Sequence, residues 1–174
     1  MTGRLLIACV GNIFLGDDGF GSAVAAELVG RELPAGARFE DYGIRSIHLV
    51  YELLDGYDVL VLVDTVGRQE GPPGSLYVIE PDLSAAVAEP VLDPHDLPPG
   101  GALELIGILG GQVGRIVVVG VQPADLTEGI GLSEPVRIAV VPAAELVLDV
   151  ARRELARLDE LARSAASAEN SGRR

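Results

Sequence analysis

Leu5-Leu6-Ile7-Ala8-Cys9-Val10-Gly11-Asn12-Ile13-Phe14-Leu15-Gly16-Asp17-Asp18-Gly19-Phe20-Gly21 is the stretch that decides the fold class. Residues 5–10 form a short, continuous apolar run ended by Gly11, the pattern of a strand buried on both faces. Beyond the acidic turn, Phe20, Val24 and Leu28 recur every fourth residue, which predicts an amphipathic helix over residues 19–31. Strand, acidic turn and helix in that order make the opening unit of an α/β domain.

The alternation continues outward. Residues 37–42 predict a second, more exposed strand, and residues 47–54 a helix. Asp58-Val59-Leu60-Val61-Leu62-Val63-Asp64 is the clearest strand, an unbroken aliphatic run between aspartates. Residues 75–79 follow the turn Gly71-Pro72-Pro73-Gly74 as another strand, and residues 115–121 are the last. The prolines between Pro81 and Gly101 predict a long loop, and residues 102–109 a short helix. Pro142 is expected at the first position of the final helix, whose apolar stripe is Leu146, Val150, Leu155, Leu158 and Leu161. Such alternation implies right-handed crossovers and a mostly parallel sheet. One domain is expected over residues 1–163, with a disordered tail over residues 164–174.

Composition agrees with this and excludes several function classes. A chain of 174 residues buries a three-layer core without disulfides or a structural metal. Its 48% hydrophobic content and mean hydropathy of +0.34 suit a sheet covered on both faces. Cys9 is the sole cysteine, which excludes an intrachain disulfide and a cysteine zinc cluster. The net charge of -13 argues against nucleic acid, whose phosphates need clustered cations. No apolar run reaches the roughly 18 residues that span a bilayer, so a cytoplasmic protein away from membranes is expected.

Ligands of open α/β sheets bind beyond the carboxyl ends of strands. Asp17 and Asp18 follow one such end, Asp64 closes another, and His95 lies in the long loop as Asp93-Pro94-His95-Asp96. Two carboxylates and an imidazole suit nickel, zinc, manganese or cobalt with positions left open. Each residue also has a plainer reading. Asp17 and Asp18 fit a helix cap and a dipole partner, Asp64 a turn, and His95 and His48 ordinary loop and helix-start positions.

The pattern Gly11-Asn12-x-x-x-Gly16-Asp17-Asp18-Gly19-x-Gly21 after a buried strand resembles the signature of the maturation endopeptidases of nickel-iron hydrogenases. The resemblance continues at Val63-Asp64, Pro94-His95, Val119-Gly120-Val121-Gln122-Pro123 and Gly129-Ile130-Gly131-Leu132-Ser133-Glu134-Pro135-Val136. It implies a three-layer αβα sandwich with a five-stranded sheet, and a site in which Asp18, Asp64 and His95 are both metal contacts and catalytic residues. It further implies that nickel arrives in the large-subunit precursor, with no resident cofactor; a monomer is expected, though no residue pattern sets the oligomeric state. Asp17 is left as a structural cap. The chain departs from the family at Asp41-Tyr42-Gly43-Ile44-Arg45-Ser46, where many members carry Asp-Gly-Gly-Thr-x-Gly; this places Arg45 and His48 as candidates near the substrate.

The activity so implied is removal of a C-terminal extension from a precursor that has received its nickel. The metal would polarise the scissile carbonyl or activate a water, or the carboxylates would act as general bases. Cys9 is excluded as the nucleophile because it lies inside the first strand. The serine motif Gly-x-Ser-x-Gly and the zinc motif His-Glu-x-x-His are both missing. A nucleotide-binding module would place phosphates where Asp17 and Asp18 stand, at a cost of about 4 kcal/mol per charge pair at ~4 Å. The alternative from another class is a non-catalytic assembly factor that binds the loaded subunit. As surface residues, Asp18 and His95 are expected to be replaceable by alanine at a cost within about 1 kcal/mol.

Overall fold

Strand β1 (Leu5–Val10) is buried at every residue, as its unbroken apolar run requires. It leads through a single 3-10 turn (Gly16–Gly19) into helix α1 (Phe20–Leu28). The chain continues through β2 (Ala37–Gly43), α2 (Ser46–Leu53), β3 (Val59–Thr65), β4 (Leu76–Ile79), β5 (Arg115–Val121) and α3 (Glu134–Ser171). The computed structural model describes residues 3–67, 70–81 and 113–171. The expected long loop over residues 81–101, the helix over residues 102–109 and His95 therefore lie outside the described residues.

The strands form one sheet in the order β2-β1-β3-β5-β4. β1 pairs in parallel with β2 and β3, and β3 in parallel with β5, while β4 joins the edge antiparallel to β5. Strand alternation sends neighbouring residues to opposite faces. Leu5, Ile7, Cys9, Val59, Val61, Val63, Val117 and Val119 face α1 and α3, whereas Leu6, Ala8, Leu60, Leu62, Ile116 and Val118 face α2. The result is the three-layer α/β sandwich. Full burial of Phe20 or Leu28 contributes about 1.5 to 3 kcal/mol each.

Two glycines of the opening motif are explained by packing. A Cβ at Gly21 would lie 2.0 Å from the Val10 carbonyl oxygen and 2.8 Å from that of Val63, so only glycine lets α1 rest on the sheet. Gly11 takes φ +143°, and a Cβ there would lie 1.9 Å from the Asp18 carbonyl oxygen.

The final helix differs from the expectation at both ends. It starts at Glu134, so Pro142 is inside it rather than at its first position. The proline is tolerated because it lies on the solvent side with Ile138 and Val141, where water reaches the carbonyl it leaves unpaired. The buried stripe runs through Val136, Ala139, Ala143, Val147, Val150, Ala151 and Leu155. Alanines bring the helix close to its neighbours, and a reading based on large aliphatics overlooks them; Leu161 is exposed. The helix also continues through Ser171 instead of ending in disorder after Arg163. Its last turns are rich in alanine, the strongest helix former, so they extend an established helix without tertiary contacts.

Candidate active site

The loop after β1 is closed by its own acidic residues. Gly11 N–H donates to the Gly43 carbonyl at 3.1 Å, which joins the loop to the end of β2. Asn12 N–H donates to Asp18 Oδ2 at 2.8 Å, and Phe14 N–H donates to Asn12 Oδ1 at 3.0 Å. Asp18 is thereby fixed from within the loop, and at 4% exposure it is not the surface residue expected. Removing its carboxylate would strand a part-buried N–H, at about 1 to 3 kcal/mol.

Asp17 does something the sequence does not reveal. No side-chain bond caps the turn or helix that follows it. Its fully buried carboxylate instead reaches across to the connection between β5 and α3. Oδ2 accepts from Ala124 N–H at 2.8 Å, Asp125 N–H at 2.9 Å and Ser133 Oγ at 2.9 Å, and Oδ1 accepts from Ser133 N–H at 2.7 Å. Ser133 immediately precedes α3, so the charge also sits at that helix's positive end. Asp17 is a structural cap, but of a helix more than a hundred residues away. Bonds from Gly16 N–H to the Gly129 carbonyl and from Gly129 N–H to the Phe14 carbonyl, both 2.9 Å, complete the junction.

Asp64 and Asp18 come together. Asp64 is 3% exposed at the end of β3, and its Oδ1 accepts from Thr65 N–H at 2.7 Å. Thr65 Oγ1 lies 3.3 Å from Asp18 Oδ1 and 3.5 Å from Asp64 Oδ1, so one hydroxyl spans two carboxylates, one from the 3-10 turn and one from β3. Nothing in the sequence singles out Thr65; its only signal is its place directly after Asp64. Among the described residues no three His, Cys, Asp or Glu side chains form a metal-holding group.

The remaining candidates separate clearly. Cys9 is fully buried, and burial, with the nearby charge of Asp41, pushes its thiol well above the usual range. The thiolate a nucleophile requires is thus suppressed. Arg45, between β2 and α2, turns back on β2, donating to the carbonyls of Asp41 at 3.0 Å and Tyr42 at 3.3 Å. Asp41 Oδ1 accepts from Ser22 Oγ and Gly43 N–H, each at 3.0 Å, tying β2 to α1. His48 is exposed on α2. Beside the acidic turn, Ile13, Gly16, Gly19, Ala23 and Leu132 help line an open apolar groove of about 290 Å³.

Residues 23–150 match the family model described as hydrogenase maturation protease. The chain is 28% identical over 150 residues to the hydrogenase 2 maturation protease of Escherichia coli, covering 86% of this chain and 91% of that one. The solved hydrogenase maturating endopeptidase HybD from Escherichia coli superposes with a TM-score of 0.68 at 26% identity, over 87% of this chain and 93% of its own. A hydrogenase 2 maturation peptidase from a Thaumarchaeota archaeon gives a TM-score of 0.62 at 30% identity, over 84% and 97%. With the acidic loop, the sheet and the relatives in agreement over most of its length, the chain belongs to the hydrogenase maturation proteases, a family of peptide hydrolases.

Proposed function

We propose that the protein removes the C-terminal extension of a nickel-iron hydrogenase large-subunit precursor once that precursor carries nickel. The observation that supports this most is the meeting of Asp18 and Asp64 at the carboxyl end of the parallel sheet, through the Thr65 hydroxyl. Carboxylates beyond the carboxyl ends of strands, fixed by backbone and hydroxyl donors, are pre-organised to receive a charge brought from outside. Nickel belongs to the substrate and not to the protease. Asp18, Asp64 and His95 would complete its coordination when the precursor docks, so that a precursor without the metal offers nothing for them to hold. A carboxylate released from metal contact is also placed to accept a proton from an attacking water. The protein is taken to act as a monomer in the cytoplasm.

Asp18→Asn tests the site, because the asparagine oxygen still accepts from Asn12 N–H while the charge is removed. Incubated with nickel-loaded precursor, wild-type protein is expected to shorten the large subunit, and Asp18→Asn, Asp64→Asn and His95→Ala to leave it at full mass. Full processing by all three variants would sink the assignment. Wild-type protein that binds the loaded precursor without shortening it would favour the assembly-factor alternative.

A further inference from the structure

Thr65 stands where the two faces of the sheet meet the site. By strand alternation it shares the side of Val59, Val61 and Val63, the face covered by α1 and α3, while Asp64 belongs to the side of Leu60 and Leu62. Asp18 approaches from the turn that precedes α1. The two carboxylates therefore reach the sheet end from different elements. A hydroxyl carries one proton, so it donates to one carboxylate at a time. Contacts of 3.3 and 3.5 Å, both longer than the usual 2.7 to 2.8 Å for such bonds, are those of a donor shared between two acceptors. Thr65 is only 1% exposed, so water does not readily take its place.

From this geometry we propose that Thr65 is a positioning residue for the reaction. Its hydroxyl holds Asp18 Oδ1 and Asp64 Oδ1 towards one common point, and yields both when a divalent cation arrives there. The proposal rests on the reading that this pair receives the substrate's nickel. Thr65 touches the carboxylates and not the scissile bond, so its effect is on how well the pair grips the metal. Partners that orient ligands in this way characteristically change metal affinity by about 10- to 100-fold when removed.

The test is calorimetric titration of nickel(II) chloride, with no precursor present, into wild type, Thr65→Ser, Thr65→Val and Thr65→Ala. Valine keeps the branched shape and strand preference of threonine without the donor; alanine removes the donor without adding volume, and serves if the valine variant does not fold. Wild type and Thr65→Ser are expected to bind alike, with Thr65→Val and Thr65→Ala weaker by about 10-fold or more. Equal affinity in all four overturns the proposal. So does a serine variant as weak as valine, which would make the methyl group rather than the hydroxyl responsible, and so does absence of binding by wild type. The endopeptidase reading is judged separately, by the mass of the loaded precursor: nickel binding that depends on Thr65 without any processing would retain the positioning role and discard the protease.

Discussion

The two adjacent aspartates, alike in sequence, have opposite duties. Asp17 satisfies three backbone N–H groups and a hydroxyl inside the protein, whereas Asp18 shares its carboxylate between its own loop and Thr65. Asp17→Ala removes all four of these part-buried bonds at once and is expected to lower unfolding free energy by about 2 kcal/mol or more in urea denaturation. Asp18→Asn is expected to stay within about 1 kcal/mol of wild type while abolishing processing. A loss below about 1 kcal/mol for Asp17→Ala would contradict the clamp. Cys9, held as a thiol by burial, is expected to resist a disulfide-exchange reagent in the native protein and to react once unfolded, and Cys9→Ala to process precursor normally. Fast native labelling would contradict this. The sequence separates Asp17 from Asp18 only through the family resemblance, because the partners of Asp17 lie more than a hundred residues away and leave no local pattern.

At the scale of the elements, periodicity reveals the strands, whereas features that depend on close approach leave little trace in it. The aliphatic runs of β1, β3 and β5 are legible because buried parallel strands need little else. The start of α3 is hidden by Pro142, a residue that usually opens helices, and its inward face by alanines that pack without announcing themselves. Because Pro142 is exposed within a long helix, Pro142→Ala is expected to raise stability by about 1 to 3 kcal/mol, read as a higher denaturation midpoint. An unchanged or lower midpoint would mean that the proline serves the packing. Residues 161–168 are exposed, so truncation after Arg163 is expected to leave stability within about 0.5 kcal/mol. Gly21→Ala is the opposite case: with the Val10 carbonyl oxygen 2.0 Å from the new methyl, α1 must lift from the sheet, and soluble folded protein is expected to be lost.

For the whole molecule, the sheet order places β1 and β3 side by side, with their carboxyl ends delivering Asp18 and Asp64 to one place. Asp17 binds that place to the start of α3, so the longest helix braces the acidic turn from the far end of the chain. Strand adjacency is implied by the alternating pattern, but the meeting of the two carboxylates is not, since it depends on Thr65 and on the turn between Gly16 and Gly19. His95, the expected third ligand, lies outside the described residues, and its part rests on the resemblance. In the proposed function this site recognises nickel carried by another protein before it cuts. The most direct measurement is the intact mass of the large subunit after incubation with the protein, using precursor prepared with and without nickel. Loss of a C-terminal peptide from the nickel-loaded precursor alone is the expected result, and equal cleavage of the nickel-free precursor would contradict it.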